Sequence, residues 1–174
     1  MKNSLAASAV TKKSSEASRD WRYMAAALTL AERGLGNVWP NPAVGCVIVK
    51  GGRVVGRGWT QPGGRPHAES EALRRAGAAA KDATAYVTLE PCAHHGKTPP
   101  CAEALIEAGI SRLVAAMADP DSRVSGRGFE SLKAAGIDVS IGLGGEQAAR
   151  LNGGFRSRIE SGRPLVTLKL ATSL

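Results

Sequence analysis

The sequence predicts a three-layer α/β/α sandwich around a mixed sheet, and three observations lead there. Short apolar runs alternate with helical patterns along most of the chain, an order that stacks helices on both faces of one sheet. The first two apolar runs are joined by Gly51-Gly52, a hairpin turn that puts an antiparallel pair into an otherwise parallel sheet. The length, 174 residues, suits one domain with its own core.

In chain order, residues 1–18 are rich in Ser, Ala and Lys without periodicity and read as a disordered extension. Trp21, Met24, Leu28, Ala31 and Leu35 recur at three- and four-residue steps, which predicts an amphipathic helix over 20–35. The continuous apolar run 44–49 reads as a buried strand, and 53–59 as its hairpin partner. Helices follow over 68–80, 100–108, 128–135 and 146–160, alternating with strands over 85–89, 112–117 and 137–141. No internal repeat is visible.

The composition sets limits on function. No apolar run approaches the roughly 20 residues that span a bilayer, and the short run 5–10 is broken by Ser8, too weak for a signal-peptide core; the expectation is a cytoplasmic protein. Three cysteines make a secreted disulfide framework improbable and favour metal or catalytic use. Lys plus Arg number 23 against 15 Asp plus Glu. Part of the excess sits in the first 22 residues and the remainder is scattered. That pattern suits either a phosphorylated substrate or nucleic acid, or simply a solvated surface.

The chemistry concentrates in Pro66-His67-Ala68-Glu69 and in Pro91-Cys92 through Pro100-Cys101. A catalytic zinc takes three protein ligands and leaves a fourth position open to water. His67, Cys92 and Cys101 provide one imidazole and two thiolates. Both motifs fall where a strand or loop gives way to a helix, whose free N–H groups and dipole favour thiolate over thiol. Glu69, two residues after His67, can face the water at the open position without being a ligand. It suits a proton shuttle to a ring nitrogen and a departing amine. Taken singly these residues have plainer readings: a satisfied polar histidine, a disulfide or a pair of buried thiols. Cys46, inside the first apolar run, reads as core. Together, His-x-Glu, Pro-Cys and a second Cys opening a helix nearly reproduce the signature of zinc nucleobase deaminases, which carry a shorter Cys-x-x-Cys. A structural zinc site is disfavoured because it normally closes with four ligands.

Residues 93–100 between the cysteines carry His94, His95, Lys97 and Thr98. A phosphate or sugar is the natural partner for Lys97 and Thr98, unless His95 and Lys97 only solvate a loop. Trp39-Pro40-Asn41-Pro42 is a stiff loop that can present the Asn41 amide to a ring edge or serve as plain turn chemistry.

Asn41-Pro42-Ala43-Val44-Gly45, His67-Ala68-Glu69, Thr88-Leu89-Glu90-Pro91-Cys92 and His94-His95-Gly96-Lys97-Thr98-Pro99-Pro100-Cys101 resemble the riboflavin-biosynthesis pyrimidine deaminases. These form the deaminase half of bifunctional deaminase/reductases. Asp119-Pro120, Gly126-Arg127-Gly128 and Leu168-Lys169-Leu170-Ala171-Thr172-Ser173-Leu174 fit the same pattern. The resemblance runs from about Asp20 to Leu174. It implies a cytidine-deaminase-like fold, a deaminase domain over 19–162, and one zinc per chain held by His67, Cys92 and Cys101. Glu69 is then the proton donor and acceptor. The implied substrate is 2,5-diamino-6-(5-phosphoribosylamino)pyrimidin-4-one, a small phosphoribosyl-pyrimidine that loses its C2 amine to give the aminouracil ribotide and ammonia. Asn41, His94, Lys97 and Asp119 fall at substrate-contact positions. No nucleic acid or membrane partner is implied, and self-association is suggested.

Three positions depart from the family pattern: Thr60 and Glu71 stand where histidines are expected, and Asp121 where Asn is expected. Residues 163–174 correspond to the start of a reductase domain or the linker to it. Ala171 would touch NADPH only if that domain followed, so this polypeptide is not expected to reduce a substrate. Two rival readings stand beside this one: a tRNA adenosine, cytidine or guanine deaminase, and a zinc-stabilised interaction module without catalysis.

Overall fold

The structure is a computed structural model that describes residues 2–94, 99–121 and 125–172, with side chains from residue 16 onward. Helix α1 (Lys2–Glu32) leads into β1 (Gly45–Lys50) and β2 (Arg53–Trp59), then α2 (Ala68–Ala76) and β3 (Thr84–Val87). The chain continues through α3 (Cys101–Glu107), β4 (Arg112–Ala115), α4 (Arg127–Ala134), β5 (Asp138–Ile141), α5 (Gly145–Leu151) and α6 (Gly153–Ser161). The sheet order is β2-β1-β3-β4-β5. β1 pairs antiparallel with β2 and β3, whereas β3, β4 and β5 run parallel, so the sheet is mixed as the Gly51-Gly52 hairpin requires.

Each core strand divides its side chains between two layers, as the two-residue period of a strand dictates. Cys46 and Ile48 of β1 face the layer of α2, α3 and α4, with Ala72, Leu105 and Leu132. Val47 and Val49 face α1 and α5, with Tyr23, Met24, Ala27 and Ala148. Fully burying a side chain such as Met24 contributes about 1.5–3 kcal/mol. Glycine makes one of these contacts workable: a Cβ at Gly58 of β2 would collide with the Ala68 carbonyl, so α2 lies directly on the hairpin. α2 also carries Glu69 and Glu71 in its first turn and Arg74 and Arg75 in its last, matching the helix dipole at both ends.

Several elements depart from the sequence reading. α1 begins at Lys2, so the stretch 2–18, read as a disordered extension, is helical here. It contains no Pro or Gly to interrupt a helix, although it lacks an apolar stripe. Of the expected stripe, Met24, Leu28 and Ala31 are buried, together with Tyr23 and Ala27, while Trp21 is 41% exposed and Leu35, past the end of α1, is 49% exposed. Small Ala27 and Ala31 let the helix sit close on β1, where a Cβ at Gly45 would collide with the Ala27 carbonyl. The single helix expected over 146–160 is two, broken at Asn152. The Asn152 amide accepts from the Ala43 N–H (2.8 Å) and donates to the Ala43 carbonyl (2.9 Å). This buried side chain thereby ties the last two helices to the loop before β1. Among the described residues, no helix is long and apolar enough to cross a membrane.

Candidate active site and metal centre

Parallel strands leave a crevice beyond their carboxyl ends, and the backbone there is held so that three loops converge. Thr60, after β2, donates its N–H to the Val44 carbonyl (2.9 Å), and its Oγ1 accepts from the Val44 N–H (3.0 Å). The chain then turns through Gly64 to His67, the residue immediately before α2. After β3, Thr88 exchanges two hydrogen bonds with the Gly45 backbone, and the Glu90 N–H donates to the Met117 carbonyl. That lays residues 88–92 across the ends of β1 and β4. Cys101 is the first residue of α3. Cys92 lies in the loop ahead of it rather than at a helix start, and the α3 terminus reaches it through the Cys101 N–H, which donates to Cys92 Sγ (3.3 Å).

His67 Nδ1 sits 3.3 Å from Cys101 Sγ and 3.7 Å from Cys92 Sγ. The three donor atoms all lie within 4.8 Å of one another. For tetrahedral zinc, with bonds of about 2.0–2.3 Å, a nitrogen-to-sulfur edge is roughly 3.5 Å. The two measured edges bracket that value, so the cluster fits a zinc ion and Nδ1 is the ring nitrogen facing it. Residue spacing alone does not distinguish the two ring nitrogens.

The electrostatics match a metal-ligating set. Hydrogen bonding from the Cys101 thiol, aided by His67 and the Cys101 backbone, holds the Cys92 thiol down at about 4 against the effect of burial. Cys101 moves the opposite way, chiefly because it gives that hydrogen bond and because it is buried. Glu69, 4% exposed, has its carboxyl pushed up to about 7 by burial and then by the neighbouring Cys92 thiolate, while His67 pulls it down. A carboxyl poised near neutrality can both take and give a proton.

These groups line one cavity of about 470 Å³. Asn41, His94 and Asp119 line it as well. The Asn41 Nδ2 donates to the Gly64 carbonyl (2.7 Å) and lies 3.4 Å from His67 Nε2. Among the described residues nothing donates to its Oδ1, which leaves that oxygen for a ligand. His94 is exposed at the rim. Burial pushes the Asp119 carboxyl up against the effect of the Asp121 N–H, which donates to Asp119 Oδ1 (2.9 Å). Lys97, with His95 and Thr98, lies outside the described residues. Ala171 is exposed after α6 and does not line the cavity. Of the three departures from the family pattern, Thr60 and Asp121 line the cavity. Glu71 instead points to Arg74 and Arg75, at 3.0 and 3.3 Å.

A profile of the cytidine and deoxycytidylate deaminase zinc-binding region matches residues 17–117. The chain belongs to that family. It is 58% identical over 156 residues to the riboflavin biosynthesis protein RibD of Escherichia coli K12, covering 90% of this chain and 42% of that one. Among solved structures it is similar to Acinetobacter baumannii RibD (52% identity, TM-score 0.83, 86% of this chain and 42% of that one). It is also similar to the diaminohydroxyphosphoribosylaminopyrimidine deaminase/5-amino-6-(5-phosphoribosylamino)uracil reductase of Thermotoga maritima (41% identity, TM-score 0.81, 86% and 43%). The chain therefore spans less than half the length of these relatives. The cytidine-deaminase-like, three-layer fold expected from the sequence is the one observed.

The structure adds residues that the sequence reading left without a role. Glu90 is buried between the cluster and Asp119. Its Oε2 accepts from the Asp119 and Gly126 N–H groups (3.1 and 3.0 Å) and its Oε1 from Gly128 (2.9 Å). A Cβ on Gly128 would collide with the Pro91 carbonyl, so only glycine lets α4 approach this carboxylate. Glu90 stood within the quoted motif, but nothing in its spacing distinguished a backbone clamp from a catalytic acid. Arg65, Phe155, Arg158 and Ile159 also line the cavity; the last three come from α6, far from any motif.

Proposed function

We propose that the chain hydrolytically deaminates 2,5-diamino-6-(5-phosphoribosylamino)pyrimidin-4-one to the corresponding aminouracil ribotide and ammonia. The observation that carries this reading is Glu69, buried beside a His67–Cys92–Cys101 cluster whose edges fit zinc. Similarity to RibD proteins over nearly the whole chain selects the substrate. When bound, zinc supplies the Lewis acidity that brings a water's pKa near 7. The rest belongs to the protein. Glu69 takes a proton from the attacking water at its carboxylate and delivers it to the ring nitrogen beside the carbon under attack. It then takes the proton of the hydroxyl now on that carbon and passes it to the amine, so that the C–N bond breaks, the carbonyl forms and ammonia leaves. Asn41 Oδ1 accepts from the pyrimidine edge. His94, Lys97 and Asp119 hold the remainder of the substrate.

The deaminase unit in this reading covers 19–162, and 163–174 begin or link to a reductase domain, the only place where NADPH and Ala171 would meet. The protein acts in the cytoplasm on a small molecule rather than on nucleic acid or a membrane, and it self-associates. The test is ammonia release by the zinc-loaded chain from the diaminopyrimidinone ribotide, cytidine, guanine and an adenosine-bearing tRNA stem-loop, each separately. Release from the ribotide alone supports the proposal. Release from another of the four keeps the chemistry and discards the substrate, whereas silence on all four with zinc bound makes the metal structural.

A further inference from the structure

The zinc cluster, Glu69 and Asn41 all lie inside the segment 17–117 shared with the wider family. One wall of the cavity does not: Phe155, Arg158 and Ile159 of α6 come from beyond it. A wall outside the shared chemistry is where selection among substrates can be built. Arg158 is its one cation, and the way it is held differs from other arginines in the chain. Arg74 and Arg75 pair with Glu71, Arg112 with Asp20, and Arg156, on the same helix, with Glu160. Arg158 has no carboxylate partner among the described residues. Its Nη2 donates to the Pro40 carbonyl (2.8 Å). Its guanidinium lies 4.9 Å from the Trp39 ring centroid and 5.5 Å from that of Phe155.

A carbonyl and two ring faces orient a guanidinium without neutralising it. Nε is buried with no hydrogen-bond partner, a condition that costs free energy until an acceptor is supplied. An arginine that is fixed in place, faces a cavity and has no counter-ion among the described residues is built for an anion that arrives with the ligand. The planar fork matches a phosphate monoester, which can accept two parallel bonds. We propose that Arg158 binds the phosphate of the substrate and sets the preference for phosphorylated over unphosphorylated pyrimidines. This rests on the ribotide reading above and adds to it a residue outside the shared segment.

The test uses the full zinc-loaded chain, its Arg158→Met variant, which keeps the apolar stem between the rings, and Arg158→Lys, which keeps the charge but loses the fork. Zinc content and thermal melting identify any variant that fails to fold. Two readouts are taken: calorimetric binding of ribose 5-phosphate and of inorganic phosphate, and the ratio of kcat/KM for the ribotide over its dephosphorylated riboside. The expected result is at least about tenfold weaker ribose 5-phosphate binding and a ratio reduced by a similar factor in Arg158→Met, with Arg158→Lys between it and the parent. If Arg158→Met does not fold, the same losses in folded Arg158→Lys carry the proposal. Unchanged ribose 5-phosphate binding, or equal losses on ribotide and riboside, would overturn it. So would binding of inorganic phosphate that is insensitive to both substitutions. Should the parent chain deaminate neither pyrimidine, the substrate reading fails separately, and the ribose 5-phosphate arm still decides the role of Arg158.

Discussion

Glu69 and Glu90 line the same cavity and are buried to nearly the same degree, 4% and 5% exposed, yet their surroundings are opposite. Glu90 gives both oxygens to the backbone, accepting N–H bonds from Asp119, Gly126 and Gly128 that fasten those residues to the segment after β3. Burial and then the Cys92 thiolate raise the Glu69 carboxyl to about 7, outweighing His67, its own backbone N–H and the Cys101 thiol, which lower it. Burial therefore does not by itself mark a chemical group. The supply of donors separates the scaffold carboxylate from the one positioned to carry protons.

The largest way to break this comparison is to remove the metal. A chelator should take deamination to background, and one equivalent of zinc should restore it, with zinc followed by atomic absorption and ammonia by a coupled assay. Turnover that persists without zinc would leave Glu69 with no partner in the chemistry. The scaffold side is tested by Glu90→Gln, which replaces one accepting oxygen with a donor that faces backbone N–H groups. The unfolding free energy should fall by about 1–3 kcal/mol in denaturant titrations, with zinc still bound. A variant of unchanged stability that lost turnover would reverse the assignment of the two glutamates.

The source of the Glu69 shift can be tested more finely in metal-free protein. Cys92 is held near 4, so at pH 6 it is ionised and should react with iodoacetamide. Cys46, raised by complete burial, should remain unmodified, and zinc should protect Cys92. Mass spectrometry of the alkylated peptides reads the outcome; equal labelling of both cysteines would remove the thiolate beside Glu69.

The smallest effect concerns a carboxylate far from the site. Asp20 joins α1 to the sheet through Arg112 (2.7 and 3.1 Å) and the Tyr86 hydroxyl (2.6 Å). Burial raises its pKa, but those partners together hold it below 3.8. A depressed folded-state pKa stabilises above the unfolded value and is lost as pH falls through the folded one. Asp20→Asn should therefore cost about 1 kcal/mol at pH 7, and the gap should narrow once pH drops below 3.8. A gap independent of pH would exclude the charge as its origin.

Much of this was legible in the chain itself. Apolar runs and the Gly51-Gly52 turn located the strands, because a buried strand needs little more than continuous apolar sequence. His67, Glu69, Cys92 and Cys101 were legible because few other uses require those residue types at those spacings. The break at Asn152 was not, since its cause is a hydrogen-bond pair to Ala43, 109 residues away. On α1 the buried residues Met24, Leu28 and Ala31 were legible, whereas Ala27 was not, because large apolar residues dominate a periodicity count. The role of Glu90 and the cavity wall from α6 arise only when distant segments meet, and local pattern carries no record of that.

The most direct test of the account is Glu69→Gln, with zinc content, melting temperature and turnover of the ribotide measured on one preparation. The account predicts one zinc per chain, a fold as stable as the parent, and turnover lower by about 10²–10⁴-fold. Turnover comparable to the parent, with zinc bound and the fold intact, would contradict it.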